Sequence, residues 1–223
     1  MRYVPDKIVE LYNKSPIWTR NIASTSYGFL KSRKERTKLF YQCLAELEET
    51  QWWSLEKLQE LQCQRLQKLI KHCAEHVPYY QKKFAEYGII SSQIQTLEDL
   101  KKLPTLTKED IRKNTDELIA DNFDKKQLRA ESTSGTTGTP LTIFTDNRTY
   151  VCQKAIQWLH HEWAGYNSKE WIGVLAGYKI VPISRNKPPF WTKNYIGKQI
   201  HFSTYHLNKN NIKFYYDEFK KTK

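Results

Sequence analysis

A run of small hydroxylated residues and glycines stands near the middle of the chain, at residues 133–138. Backbone N–H groups and hydroxyls gathered in one concave loop suit the oxygens of a phosphate group. Gly135 and Gly138 let the backbone take positive φ and approach a ligand closely. An apolar, partly β-branched stretch at residues 141–145 follows Pro140, so the pattern predicts a loop that leads into a short strand. These residues indicate phosphate binding, although a solvated linker would share their composition.

The order of the residues narrows the class of phosphate loop. The Gly-Lys-Ser/Thr tripeptide of a Walker loop is absent, and a strand rather than a helix is predicted after the loop. The run resembles the phosphate-binding signature of the adenylate-forming enzyme superfamily, Ser/Thr-Ser-Gly-Thr/Ser-Thr-Gly-x-Pro. The matching residues are Thr133, Ser134, Gly135, Thr136, Thr137, Gly138, Thr139 and Pro140. Many members carry Lys after the Pro, whereas this chain has Leu141. In this departure the chain is similar to the phenylacetate–coenzyme A ligase-like branch, which includes capsular polysaccharide biosynthesis proteins.

Two segments before the loop extend the resemblance. Residues 69–80 end in Val-Pro-Tyr-Tyr and are similar to the family's helix followed by Val-Pro-Phe/Tyr-Tyr. Residues 97–111 are similar to its Leu-Pro-x-Leu and Thr-Lys stretch. Both precede the loop at about the family's distance, so the resemblance runs from about Trp52 to Pro140 and weakens towards the C-terminus.

The resemblance implies an enzyme in which a carboxylate attacks the α-phosphate of ATP, giving an acyl-adenylate and pyrophosphate. A thiol such as coenzyme A can then accept the acyl group. The hydroxyls of Ser134, Thr136 and Thr137 would hold the β- and γ-phosphates, Mg²⁺ would bridge phosphate oxygens, and a carboxylic acid would be the partner substrate.

The length of the chain limits this interpretation. Adenylate-forming enzymes are typically about twice as long or more, and their aromatic-Thr-Glu motif, ribose-binding Asp and late catalytic Lys have no counterpart that we recognise here. We therefore expect an N-terminal part of such a ligase, inactive alone, whose C-terminal half could be encoded separately. The alternative hypothesis is a truncated, non-catalytic module that binds phosphate or a protein.

The charge of the chain favours anionic partners. Its 223 residues carry a net charge of +12, from 36 Lys and Arg against 24 Asp and Glu, and such a field attracts polyanions. The charge alone does not distinguish ATP, coenzyme A, nucleic acid and an anionic membrane surface. The lysines are scattered, which is typical of a solvated surface, and no nucleic-acid-binding motif is recognisable. A nucleic-acid binder is the third hypothesis, and we expect any such binding to be non-specific.

Four cysteines and a pair of histidines could in principle build a covalent or metal site. No C-x-x-C pair is present, so we interpret the cysteines as thiols of a reducing compartment, without disulfides; they are Cys43, Cys63, Cys73 and Cys152. His72 and His76 have helical metal-ligand spacing but lack an evident third ligand, so no metal site is predicted. Without a secretory leader or an apolar run near the roughly 20 residues that span a bilayer, we expect a cytoplasmic protein.

The spacing of apolar residues predicts the elements that must position the loop. Helices are expected to begin near Ser54, Pro78, Thr107 and Asp146, each a suitable cap or first residue. Residues 17–34 are interpreted as a segment packed across the body, residues 171–177 as a buried strand, and residues 178–197 as irregular. The last expectations are a strand at 199–203 and a helix at 207–220.

Helices and strands alternate after residue 130, which favours an α/β sheet. The predicted fold class is therefore α/β: an α-helical N-terminal segment, residues 1–128, followed by residues 129–223. By the resemblance, the second part is an incomplete α/β nucleotide-binding region of the large N-terminal domain of adenylate-forming enzymes.

Overall fold

The computed structural model describes residues 11–12, 14–133, 140–177 and 179–222. Helices combine with two small sheets, which confirms a mixed helix-and-sheet class. The helices are α1 (Ile17–Glu35), α2 (Lys38–Thr50), α3 (Leu55–His76), α4 (Pro78–Glu86), α5 (Lys108–Lys113), α6 (Asn147–Trp163) and α7 (Ile212–Lys220). The strands are β1 (Arg129–Ser132), β2 (Thr142–Thr145), β3 (Ile172–Ala176), β4 (Trp191–Asn194) and β5 (Gln199–Ser203).

Contacts within the chain divide it into two compact units. One unit, here the first, contains the described residues up to 42 together with those from 154 onward. The second unit contains residues 43–153. The sequence suggested a boundary at residue 128 between a helical segment and a nucleotide-binding region of the same large domain. That boundary stays a prediction.

The helix starts of the second unit follow local capping chemistry. The Ser54 hydroxyl accepts a hydrogen bond from the Lys57 amide at 3.4 Å, which satisfies one of the free amides at the start of α3. Pro78 is the first residue of α4, and Thr107 forms a reciprocal capping box with Asp110 at the start of α5. The expected starts at Ser54, Pro78 and Thr107 are therefore confirmed.

Residues 17–34, expected to pack across the body, do pack on β4, but as helix α1, which was not expected. Its contact with β4 is polar: the Lys193 amide donates to Asn21 Oδ1 at 2.9 Å, and the Tyr195 amide donates to Thr25 Oγ1 at 3.1 Å. Because polar side chains face the strand, the helix has no clear apolar stripe for hydrophobic periodicity to detect.

The three-stranded sheet of the first unit has the order β3-β5-β4. Strand β5 pairs in parallel with β3, Ile172 opposite Gln199, and antiparallel with β4, Trp191 opposite Phe202. Strand β4 lies in the stretch expected to be irregular, so that expectation was wrong. Five buried residues form the core beside the sheet: Phe190, Trp191, Ile200, Phe202 and Tyr215.

Strand β3 is less buried than its apolar sequence suggested. Leu175 is 54% exposed, and within the described residues β3 pairs on one side only, with β5. The expectation of a strand was right and the expectation of burial was wrong. Helix α7 begins at Ile212 rather than at residue 207. In the turn before it, the Asn208 side chain accepts hydrogen bonds from the amides of Asn210 and Asn211.

The cysteines also differ from expectation. Cys43 and Cys152 form a disulfide with a Cα–Cα distance of 5.5 Å, whereas Cys63 and Cys73 are free. The pair is separated by 109 residues, and it is brought together by tertiary packing that local spacing does not reveal. Across the residues that the structure describes, no helix combines the length and the apolarity needed to cross a membrane.

Candidate phosphate-binding hairpin

Strands β1 and β2 form an antiparallel hairpin around the Ser/Thr/Gly loop. Their register runs from Arg129 opposite Thr145 to Ser132 opposite Thr142. Two further bonds extend the pairing towards the loop: the Thr133 amide donates to the Leu141 carbonyl at 3.0 Å, and the Leu141 amide donates to Thr133 Oγ1 at 3.2 Å. These two hydrogen bonds join Thr133 to Leu141, one on each side of the loop.

Only the ends of the predicted phosphate-binding motif fall within the described residues. Thr133 and Pro140 are described, whereas Ser134, Gly135, Thr136, Thr137, Gly138 and Thr139 lie outside the described residues. Contacts of those six with phosphate stay a prediction. For Thr133 the structure adds a bond that the sequence did not suggest, because its hydroxyl accepts from a backbone amide. A hydroxyl can accept and still donate its own proton.

The hairpin contacts the rest of the second unit through the buried Leu141 and through two cation–ring contacts. Leu141 is 8% exposed, whereas all four residues of β1 are exposed. The guanidinium carbon of Arg129 lies 3.7 Å from the centre of the Tyr150 ring in α6, and Lys125 Nζ lies 5.2 Å from the Phe144 ring. Contacts of this kind contribute about 0.5–1 kcal/mol each at exposed sites, so they orient the hairpin without burying it.

Asp146 joins the hairpin to helix α6. Its Oδ1 accepts a hydrogen bond from the Thr149 amide at 2.8 Å, so the expected cap is confirmed. Burial alone would raise the pKa of this carboxyl. Hydrogen bonds from Thr149 and from the Arg148 amide outweigh burial and hold the pKa of Asp146 below its usual range. The carboxylate is thus ionised near neutral pH and fixes where β2 ends and α6 begins.

A cavity of about 540 Å³ lies against β2, entirely within the second unit. Its wall is mostly apolar and includes Leu69, Val77 and Phe144, with His72 among the few polar residues. Burial raises the pKa of the Cys73 thiol in this wall, so the thiol stays protonated and is a poor nucleophile. Sequence reasoning missed the cavity, because its lining comes from segments far apart in the chain.

Two further arrangements of histidine side chains lie outside the hairpin. His76 Nδ1 lies 3.0 Å from Asp121 Oδ1, while the His72 and His76 ring centres are 5.2 Å apart. No group of three His, Cys, Asp or Glu side chains that could hold a metal ion occurs among the described residues. In the first unit, Ser203 Oγ lies 2.8 Å from His206 Nδ1, but Ser203 is fully buried. The pair is therefore a buried hydrogen bond within the fold, and the Ser203 hydroxyl is not accessible to a substrate as a nucleophile.

Comparisons with known proteins agree with the motif. Protein CapK of Staphylococcus aureus is 29% identical over 214 residues, 95% of this chain and 45% of CapK. Phenylacetate-coenzyme A ligase of Escherichia coli (strain K12) is 34% identical over 135 residues, 57% of this chain and 29% of the ligase. The Pseudomonas putida ligase is 35% identical over 95 residues, 42% of this chain and 22% of the ligase.

These matches cover only part of each relative. No protein-family model matches the chain, and the chain spans less than half the length of the curated relatives that it matches. Its similarity to CapK extends over nearly all of its residues, and its similarity to the ligases over a shorter stretch. The similarity to these proteins supports the resemblance of the motif residues to the phenylacetate–coenzyme A ligase-like and capsular biosynthesis branch.

Proposed function

We propose that this chain supplies the phosphate-binding part of an ATP-dependent, adenylate-forming ligase that activates a carboxylic acid. The observation that carries the proposal is the hairpin closed by Thr133 and Leu141, which makes the residues of the signature the connection between two paired strands. Its second support is the similarity to proteins named phenylacetate-coenzyme A ligase.

In the proposed reaction, a carboxylate oxygen of the substrate attacks the α-phosphorus of ATP. The bond from that phosphorus to the bridging oxygen of the β-phosphate breaks, and pyrophosphate leaves with the bond's electron pair. Ser134, Thr136 and Thr137 hydroxyls and the loop amides would hold the β- and γ-phosphates, where negative charge grows as the bond breaks. Fixing the leaving group in line with the attacking oxygen supplies the orientation that the displacement requires.

The acyl-adenylate would then react with a thiol, for which coenzyme A is our proposed acceptor. The thiolate attacks the acyl carbon, and AMP leaves. Mg²⁺ belongs to the proposed family chemistry, but the described residues offer no cluster of metal ligands.

The location and pathway of the reaction follow from its proposed reactants. An enzyme that consumes ATP and coenzyme A works where both are made, so we propose a cytoplasmic protein. Reducing agents there would keep Cys43 and Cys152 as thiols, and their disulfide would form only on exposure to oxidant. From the resemblance of the motif, we further propose that the carboxylic acid substrate is used in surface polysaccharide assembly.

Pyrophosphate exchange tests the proposal directly. A complete protein that contains this sequence should exchange labelled pyrophosphate into ATP when its carboxylic acid is present, with phenylacetate as the first acid to try. The purified 223-residue chain should exchange none above a blank without protein. Absence of exchange by the complete protein with every acid in a broad panel would overturn the ligase, and exchange by the chain alone would show that it is not merely a part.

A further inference from the structure

The first unit contains a cluster of two arginines with buried nitrogen atoms that have no hydrogen-bond partner among the described residues. Arg20, in helix α1, is 2% exposed, and its Nε and Nη1 atoms have no hydrogen-bond partner in the described part of the chain. Arg185 lies in the connection between β3 and β4, and its Nε is likewise buried and unpaired there. Its Nη2 donates to the Pro188 carbonyl at 3.3 Å. Within the described residues, the buried Arg20 and the partly buried Arg185 thus have no carboxylate partner.

The two charges act on each other. Burial is the main cause that lowers the pKa of Arg20, and the positive charge of Arg185 lowers it further. Because a guanidinium is not deprotonated in proteins, Arg20 keeps its charge. An ionised group taken out of water costs several kcal/mol unless an opposite charge and hydrogen bonds compensate for it. The cluster as described lacks that compensation.

The surroundings of the cluster add positive potential and hydrogen-bond donors. Helix α1 has no acidic residue in its first turn and no side-chain cap, so its positive end is not neutralised there. The Tyr12 hydroxyl interacts with Thr192 and with the charge of Arg20, and it donates to the Ile180 carbonyl at 3.3 Å. We call Tyr12, Arg20, Arg185 and Thr192 the arginine cluster. Among its described neighbours, no carboxylate forms an ion pair with either arginine.

We propose that the arginine cluster is a binding site for a phosphate group, separate from the Ser/Thr/Gly loop. A phosphate group carries nearly two negative charges at neutral pH, which matches two guanidinium groups better than a single carboxylate does. Arginine forks also bind phosphate oxygens in a bidentate manner. To donate to the phosphate, the Tyr12 hydroxyl would give up its bond to the Ile180 carbonyl. Because Arg20 is almost inaccessible, the ligand is a free phosphate ion or the terminal phosphate of a monoester.

The test measures how phosphate changes the thermal unfolding of the purified chain in a chloride buffer. A ligand that binds only the folded state raises the melting temperature in a concentration-dependent way. The wild type should show this response. Arg20→Met and Arg185→Met should weaken phosphate affinity about thirtyfold or more, the usual scale for losing one partner of a buried charge pair. Arg33→Met, an equal charge change at an exposed position of α1, should leave the response intact.

Further variants and ligands distinguish this site from the Ser/Thr/Gly loop and from non-specific anion binding. Gly135→Val should leave the response unchanged, because a response lost in that variant would belong to the Ser/Thr/Gly loop and overturn the proposal. A response to acetate as large as that to phosphate would also overturn it. A stronger response to glucose 6-phosphate than to inorganic phosphate would assign a monoester, and the reverse would assign the free ion; either supports the site.

The remaining alternative is that acidic residues of the chain itself neutralise the arginine cluster. Asp6 and Glu10 precede helix α1 in sequence. If phosphate binds only to an Asp6→Asn, Glu10→Gln double variant and not to the wild type, those carboxylates already neutralise the cluster and the proposal fails. It also fails if the wild type and that double variant both show no response. If Arg20→Met does not fold, Arg185→Met carries the comparison, since Arg185 lies in a loop and is only partly buried.

Discussion

The sheet of the first unit and the hairpin of the second are stabilised in different ways. The sheet has an aromatic core in which Phe202 is fully buried, and its ring centre lies 4.7 Å from that of Phe219. The hairpin exposes all of β1 and is closed by two hydrogen bonds between Thr133 and Leu141. Apolar burial therefore stabilises the sheet, whereas directional polar contacts position the loop. Changes in the sheet should cost stability, and changes in the hairpin should mainly cost activity.

The largest expected effect on stability is in the sheet core. Phe202→Ala removes a fully buried ring and should lower the free energy of unfolding by about 3–5 kcal/mol. Ile143→Ala, a truncation in the 44% exposed side chain of β2, should cost about 0.5 kcal/mol. Denaturant unfolding of both variants measures the difference. Equal losses would show that the hairpin is supported by burial as much as the sheet is.

The next effect concerns close packing between the sheet and helix α7. A Cβ built on Gly173 would overlap the ring of Phe219, so Gly173→Ala should destabilise the fold by about 1–3 kcal/mol through overpacking. Phe219→Leu should recover part of that loss when the two changes are combined, because the smaller side chain leaves room. Additive losses in the double-mutant cycle would contradict this contact.

A smaller effect is expected at the base of the loop. Thr133→Val keeps the shape of the side chain and removes the hydroxyl that accepts from the Leu141 amide. The variant should lose about 1 kcal/mol of stability, the net worth of a typical hydrogen bond, and amide hydrogen exchange at Leu141 should quicken. Thr133→Ser retains the acceptor and serves as the control. Unchanged exchange at Leu141 in Thr133→Val would show that the bond does not close the loop.

A pH dependence in the sheet core completes the comparison. Burial raises the pKa of Tyr215 from 10.0 to about 12, and its hydroxyl donates to the Ser203 carbonyl at 2.6 Å. Between these two pH values the unfolded chain releases this proton more readily than the folded chain. Stability should therefore be fully present below pH 10 and fall as pH rises towards 12. Tyr215→Phe should flatten this part of the alkaline profile, and an unaltered slope would contradict the buried phenol.

The sequence predicted the elements that depend on local chemistry. The Asp146 cap, the Ser54 cap and strand β2 were accessible because a few adjacent residues determine each of them. Strand β1 was missed, since Arg129 and the three residues after it lack a strand pattern and become a strand only by pairing with β2. Helix α1 was missed because Asn21 and Thr25, both polar, face the sheet.

Features that tertiary packing creates were beyond local reasoning. The contact between Cys43 and Cys152 joins positions 109 residues apart, and the aromatic core includes Phe190 and Trp191 from a stretch that looked irregular. The phosphate motif was found because its chemistry is contained in one short run. Its two ends lie where a closed loop requires them, while the contacts of residues 134–139 with phosphate stay a prediction.

In the proposed function, the Ser/Thr/Gly residues that connect β1 and β2 act in adenylation. This role is tested most directly by pyrophosphate exchange in a complete protein that contains this sequence. Thr137→Val should lower kcat by roughly a hundred- to a thousandfold, the usual cost of one lost donor in an anion site. Gly135→Val should be at least as harmful, because a β-branched residue disfavours positive φ and crowds the phosphate. Thr145→Val, which removes a hydroxyl at the far end of β2 that has no partner in the described residues, is the matched control with kcat unchanged. Wild-type kcat in both loop variants would remove the loop from the mechanism.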